Sequence, residues 1–388
     1  MENRVIYYDF KRLWRMTKLN WFKAKGTIAR LTLKRILLLL FFYVAYGLLE
    51  SITWFCFCLD RILFPGYLDV EIKSPVFIIG NPRSGTTFLH RLISLDSEHF
   101  RPILLWEIIF APSIVQRKVW GSLRKIDRWL GYPVRNIVRR VEAKLFNPNK
   151  MHRIRLRMPE EDEYLMMHLG TTILGGLVFG FPEESEPFVR FDECLSQNEK
   201  EHAIAFYKRC IQRHLYYHGQ KCIFISKNPF FSPKVDTLLK VFPDAFIIYL
   251  IRNPLKAVPS FASLSAFWWH IFCDTKVDYP YPEFIMETMR YWYRYPLQRL
   301  EKEPTSRYMV MRFEDMVSNP RKAVESICEC VGVEITPAYT RILDEETEKS
   351  RQYKSTHKYS LEVIGYTREQ IIHEFSDVFH KWQFDIDA

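Results

Sequence analysis

The segment Pro75-Val-Phe-Ile-Ile-Gly-Asn-Pro-Arg-Ser-Gly-Thr-Thr-Phe-Leu-His-Arg-Leu92 constrains the fold more than any other: an apolar strand runs through a glycine-bounded loop into a helix. Gly80 and Gly85 permit a tight turn that points several N–H groups inward. Thr86 and Thr87 then open a helix whose positive dipole end faces the same point. An anion is expected there. The spacing of the glycines and the two hydroxyls copies the nucleotide-binding loop G-x-x-x-x-G-K-[ST], but Thr86 stands where that pattern requires lysine, and the cation is Arg83, inside the loop. The exchange points away from ATP hydrolysis, because a kinase or nucleotidase needs magnesium and a positioned lysine.

Four apolar, β-branched or aromatic-rich runs read as strands: Val76–Ile79, Cys222–Ser226, Ala245–Ile251 and Tyr308–Arg312. Helix-length amphipathic stretches such as Phe284–Tyr295 and Pro320–Val331 alternate with them. The alternation predicts an α/β fold, a parallel sheet flanked by helices on both faces, with ligands at the C-terminal ends of the strands. A length of 388 residues with 48% hydrophobic side chains suits one catalytic domain, over 70–388, with an N-terminal appendage. Phe146-Asn-Pro-Asn-Lys150 reads as a loop.

The appendage divides by composition. Residues 1–35 form a basic arm, in which ten Lys and Arg stand against Glu2 and Asp9, about +8 of the chain's +10, and the catalytic region is near neutral. Residues 36–60 are apolar apart from a few positions such as Glu50, Ser51 and Thr53, long enough to cross a bilayer. A basic flank before such a run suits a signal anchor, an in-plane amphipathic helix or a short hairpin on lipid; a helix packed on the catalytic domain is the soluble alternative. The eight cysteines have no zinc-type spacing and read as mostly free, buried thiols. No Asn-x-Ser/Thr sequon occurs, which disfavours a eukaryotic lumenal enzyme.

The string Asn-Pro-Arg-Ser-Gly-Thr-Thr resembles the 5′-phosphosulfate loop of the sulfotransferases, which use 3′-phosphoadenosine 5′-phosphosulfate as donor. Ile247-Ile-Tyr-Leu-Ile-Arg-Asn-Pro-Leu-Lys-Ala-Val-Pro-Ser260 is similar to that family's 3′-phosphate motif. Arg312-Phe-Glu-Asp-Met-Val-Ser-Asn-Pro320 looks like its late strand-to-helix signature. The three motifs occur in the family's order, and the resemblance covers residues 75 to 388. It implies a P-loop-like sulfotransferase fold and a donor site made of Pro82, Arg83, Ser84, Gly85, Thr86 and Thr87 around the 5′-phosphate. Arg252 and Ser260 would hold the 3′-phosphate. A late basic stretch containing Lys354, Ser355 and His357 would close over it, or serve as a solvated charged face. No metal is expected.

Transfer of an SO3 unit between two oxygens requires a cation on the leaving phosphate and a base for the acceptor hydroxyl. Arg83 is the candidate cation, since its planar fork can bind two phosphate oxygens. Lys227 matches a family lysine that contacts the bridging oxygen, but Asn228 and Pro229 follow it, so the histidine base of the cytosolic branch is missing. Two replacements are open. Glu107 follows the loop helix at nearly the distance seen in the tyrosylprotein branch, and its apolar neighbours predict a raised proton affinity. The cluster Glu160-Glu-Asp-Glu163, with His152 and His168 on either side, is the other; it equally fits helix N-terminal capping. Glu314 and Asp315 read as structural caps.

The acceptor region is read from Gly170–Pro182 and Ser263–His270, whose apolar and aromatic content suits a lid over a hydrophobic or lipid-like alcohol. Three function classes follow: a membrane-associated sulfotransferase, a P-loop kinase, and a sulfotransferase-like scaffold without activity. Partners would be a small-molecule or lipid acceptor and a membrane surface, with no nucleic acid. Only about fifteen residues join Leu59 to the first strand, which favours a catalytic domain resting on the cytoplasmic face over a Golgi-type lumenal, signal-anchored one.

Overall fold

Val76–Gly80 (β1) has no polar side chain and is buried throughout, as a strand covered on both faces must be. In the computed structural model, which describes residues 6–145, 155–352 and 364–386, it is the centre of a five-stranded sheet of order β2-β3-β1-β4-β5. The others are Phe100–Arg101 (β2), Ile223–Lys227 (β3), Phe246–Ile251 (β4) and Tyr308–Arg312 (β5), and every pairing is parallel. Alternation along the strands divides the core in two. Phe77, Ile79, Ile247 and Tyr249 face one cluster, and Val76, Ile78, Ile248 and Leu250 the other.

The four expected strands are present within a residue or two, and the helices Pro282–Leu300 and Pro320–Val331 fall where the periodicity puts them. Strand β2 escaped notice. Its two residues carry no apolar run, and it exists because Phe100 and Arg101 pair with Ile223 and Phe224 of β3. The eight cysteines are free, but only Cys56, Cys210, Cys273 and Cys328 are buried, so the expectation of mostly buried thiols holds for half. The loop expected at Phe146–Lys150 lies outside the described residues.

The N-terminal region folds as two helices, α1 (Phe10–Phe22) and α2 (Leu33–Leu63), the second longer at both ends than residues 36–60. Thr32 caps α2 by accepting from the Arg35 N–H. The inner face of α2 is fastened along its length by polar groups. Tyr46 donates to the Met167 carbonyl at 2.5 Å, Glu50 meets His168 Nδ1 at 2.8 Å, and Asp60 pairs with Arg213 at 3.0 Å. The outer face is a stripe at helical spacing, Leu37, Phe41, Val44, Leu48, Phe55 and Ile62, in which Phe41 is 75% exposed. Only 17% of its most apolar window is buried, which a core helix would not allow.

Candidate active site

At the end of β1 the chain turns through Gly80, where a Cβ would collide with the Leu250 carbonyl, and reaches Gly85 at φ +86° as the N-cap of α3 (Thr86–Ile93). A Cβ on Gly85 would lie 2.6 Å from the Phe313 ring, so both loop glycines are required by space. The loop is tied down by its own polar groups. Ser84 Oγ donates to the Asn81 carbonyl at 2.6 Å, and the Tyr249 hydroxyl donates to Asn81 Oδ1 at 3.0 Å. Pro82, Ser84 and Thr86 are buried, whereas Arg83, Gly85 and Thr87 are half-buried at the rim.

Arg83 has φ 71°, a left-handed conformation that costs a side-chain-bearing residue roughly 1–2 kcal/mol. Arg252 Nη1 donates to the Arg83 carbonyl at 2.7 Å and holds it there. Arg83 Nε in turn donates to Ser260 Oγ at 3.0 Å. The Arg252 guanidinium lies 4.2 Å over the Phe313 ring, the same ring that closes against Gly85. Residues from all three sequence motifs thus converge: Arg83 from the loop, Arg252 and Ser260 from the end of β4 and helix Pro254–Cys273, and Phe313 directly after β5. Phe313 was missed as a site residue, although its position, an aromatic at the C-terminal end of a parallel strand inside a quoted motif, was the available signal.

Lys227 ends β3, opposite Ile78 of β1, and is fully buried. Its Nζ sits 3.1 Å from Glu160 and 3.0 Å from Glu161. Burial alone would lower its proton affinity, but the two carboxylates override this and raise it, so Lys227 is a firm cation. A single antiparallel bridge, Leu104 to Pro159, delivers the acidic run to this point. Within that run Glu163 pairs with Lys234 at 2.7 Å, and Asp162 accepts from Tyr207 and from Ser226 Oγ at 2.9 Å. Burial pushes Asp162 up to about 6. Glu161 alone of the four is only half-buried. His90, on α3 and buried, is pushed down to about 3 by burial and by the charge of Lys227.

Glu107 lies elsewhere in the fold. It belongs to α4 (Leu105–Phe110), where it accepts from the Leu104 N–H at 3.0 Å, and it meets His218 Nε2 at 2.6 Å and Arg117 at 4.0 Å. His218 closes the helix Gln197–His218, which leads into the N-terminal end of β3, whereas the loop lies at the C-terminal end of β1. The expectation of a raised proton affinity is corrected. Burial does push that way, but Arg117, His218 and His214 outweigh it and hold the carboxyl well below the usual range. Glu107, His214 and His218 lie close enough to one another to ligate a metal, yet Arg117 already supplies the positive charge there and donates to His214 Nδ1 at 2.9 Å. His168 is committed to Glu50 and to the Ile108 carbonyl, and His270 to the Ala266 carbonyl. Glu314 accepts from the Asn253 N–H at 3.5 Å. His152, Lys354, Ser355 and His357 lie outside the described residues.

The two segments read as a lid meet each other. Helix α7 (Leu174–Phe179) packs on Pro254–Cys273, and between them Ile173, Pro182, Phe230, Phe261, Trp269 and Phe284 line an apolar cleft. Two of its lining residues lie close in sequence to the site, Phe230 three residues after Lys227 and Phe261 next to Ser260. The free space is about 20 Å³, room for roughly one water, so any larger guest must part these side chains.

A parallel α/β sheet with a lysine-free glycine loop, and two arginines and a serine meeting at its C-terminal edge, defines a P-loop-like fold. A profile of the sulfotransferase family matches residues 75–337, and the chain belongs to that family. Among curated proteins it is 24% identical, over 74% of its own length and 70% of the relative's, to an omega-hydroxy-beta-dihydromenaquinone-9 sulfotransferase of Mycobacterium tuberculosis. Its fold is similar to the crystal structures of sulfotransferase STF9 from Mycobacterium avium (TM-score 0.68, 22% identity, 85% of this chain and 81% of that one). It is also similar to STF1 from Mycobacterium tuberculosis (TM-score 0.65, 19% identity, 96% and 99%).

Proposed function

We propose that the protein transfers the sulfuryl group of 3′-phosphoadenosine 5′-phosphosulfate to a hydroxyl of a lipid-like acceptor at a membrane surface. The observation that carries the donor is the meeting of Arg83, Arg252 and Ser260 at the mouth of the Gly80–Gly85 loop. The loop N–H groups and Arg83 take the 5′-phosphate, with Pro82, Ser84, Gly85, Thr86 and Thr87 shaping the cradle. Arg252 and Ser260 take the 3′-phosphate. Donor binding then replaces the Arg83–Ser260 hydrogen bond with charge-assisted ones.

In the transfer, a bond forms between sulfur and the acceptor oxygen as the bond between sulfur and the 5′-phosphate oxygen breaks. The acceptor proton moves to a carboxylate, and 3′-phosphoadenosine 5′-phosphate leaves. Arg83 and Lys227 meet the charge that develops on the leaving phosphate. Lys227 must first loosen its grip on Glu160 and Glu161, since it is fully buried between them. We assign the base to Glu161, half-buried and 3.0 Å from Lys227, in preference to Glu107, whose carboxylate is engaged by Arg117 and His218. No metal enters this step.

The acceptor assignment rests on the apolar cleft lined by Phe230 and Phe261, on the exposed stripe of α2, and on the dihydromenaquinone name of one relative. The polar fastening of α2 supports a helix lying in the membrane plane, with residues 1–35 as a basic flank and the catalytic domain on the cytoplasmic face. Calorimetric titration with 3′-phosphoadenosine 5′-phosphate, without magnesium and with ATP as control, tests the donor reading. Selective binding supports it, preference for magnesium ATP moves the protein to the kinase class, and binding of neither makes it a scaffold. In a sulfation assay with long-chain alcohols, Arg83→Ala should lose at least about 100-fold in turnover while still sedimenting with membranes.

A further inference from the structure

The near-neutral charge expected of the catalytic region hides a strongly uneven distribution. Helices α5 (Ile114–Trp129) and α6 (Pro133–Leu145) form an αα-hairpin carrying nine Lys and Arg against Asp127 and Glu142. From Lys118 to Glu142 no side chain is buried. Trp120 Nε1 donates to the Phe110 carbonyl at 3.2 Å and Glu142 accepts from the Leu156 N–H at 2.8 Å, so the hairpin is tied to the domain at its base and exposed along the rest of its length. Its apolar residues are nevertheless patterned. Val119, Leu123, Ile126 and Leu130 recur at helical spacing on α5, as do Val134, Ile137 and Val141 on α6, and Trp129 at the tip is 84% exposed. An apolar face of this size left to water marks a contact surface.

The hairpin is anchored to α2. Asp60 accepts from the Ile114 and Val115 N–H groups at 2.9 Å each, and Gln116 Nε2 donates to Thr53 Oγ1 at 3.1 Å. Its direction is therefore fixed relative to the helix whose outer stripe is exposed. We propose that α5–α6 is a second lipid-contacting element, which lays its apolar face into an anionic bilayer beside α2. This rests on the membrane-docked reading of α2 but not on the chemistry at the donor loop. Charge decides the occupant. Anionic lipid complements Arg124, Lys125, Arg128, Arg139 and Arg140, whereas a second copy docking the same face would set like charges against each other. The long basic side chains reach back to the headgroups while their stems and Trp129 settle at the interface.

Hydrogen exchange on the full chain, with and without vesicles, tests this locally, where the basic N-terminal arm does not interfere. Vesicles of phosphatidylcholine with phosphatidylglycerol should slow exchange in peptides from 118–142 as well as in α2; pure phosphatidylcholine should protect the hairpin far less. Each basic residue near an anionic surface strengthens binding roughly fivefold, so Arg128→Gln, Arg139→Gln and Arg140→Gln together should weaken partitioning about 100-fold. Affinity for 3′-phosphoadenosine 5′-phosphate should not change. Protection of α2 without the hairpin, or a triple variant that partitions like the native chain, overturns the inference and leaves the α2 reading standing. A dimer whose 118–142 peptides are protected before lipid is added overturns it in favour of a second copy.

Discussion

Exchanging one carboxylate for an amide at two positions separates the proposed base, Glu161, from Glu107, whose contacts are structural. In Glu107→Gln, Arg117 is left 1% exposed beside His214 with its carboxylate partner gone. Breaking a buried ion pair from one side costs about 3–5 kcal/mol. In a domain of this size that lowers the melting temperature by roughly 4–7 °C. Donor affinity and turnover at 20 °C should stay within about threefold, because none of the contacts of Glu107 touches the loop, Arg252 or Lys227. Glu161→Gln should do the reverse. The half-buried side chain has Lys227 as its partner, and Lys227 keeps Glu160, so the melting temperature should move by no more than about 3 °C. Turnover should fall by about 10²–10⁴, the worth of a positioned base, with donor affinity kept. Differential scanning fluorimetry and a radiolabelled sulfate-transfer assay on both purified variants give the four numbers. A Glu107→Gln protein with native melting and turnover reduced 100-fold would refute the assignment and return the base to α4.

Three further outcomes follow from the geometry. Arg252→Gln removes both a proposed phosphate ligand and the clamp on the strained Arg83 carbonyl, so calorimetry should find 3′-phosphoadenosine 5′-phosphate bound at least about 10-fold more weakly, with Ser260→Ala the milder of the two. Gly85→Ala drives a methyl group into Phe313 at a left-handed backbone position and should destabilise the protein by about 2–4 kcal/mol in urea titrations. Asp162, pushed up to about 6 by burial, stays protonated in the folded chain at pH values where the unfolded chain has lost the proton. The native state therefore gains stability as pH falls from 6 toward 3.8, by up to about 3 kcal/mol. Asp162→Asn lacks this titration, so the melting temperature of the native chain minus that of the variant should rise on acidification between pH 7 and pH 4.

The sheet and the glycine loop at its edge are legible because their physics is local. A buried parallel strand is a continuous apolar run, and the glycine loop with Arg83 is a fixed local pattern, whereas Arg252 and Ser260 are marked by the family resemblance; the structure brings the three side chains together. What stayed hidden depends on residues far apart in sequence. Nothing near Glu107 announces Arg117 or His218, so its apolar neighbours suggested raised proton affinity where the fold produces the opposite. The four acids at 160–163 could be read as helix capping, and only the Leu104–Pro159 bridge brings them to Lys227. The basic hairpin at 114–145 was hidden by averaging, since its charge cancels against acidic segments elsewhere.

The polar inner face of α2 also sets how this protein can be handled at the bench. Removing residues before Phe64 to gain solubility would strip partners from His168, Arg213 and the first two N–H groups of α5, leaving several interior polar groups with neither water nor a mate. A shortened chain should aggregate for want of those partners rather than dissolve. Recoding the outward positions, for example Phe41→Lys with Val44→Glu and Leu48→Gln, keeps every inward hydrogen bond and gives a water-tractable form whose catalytic domain is unaltered.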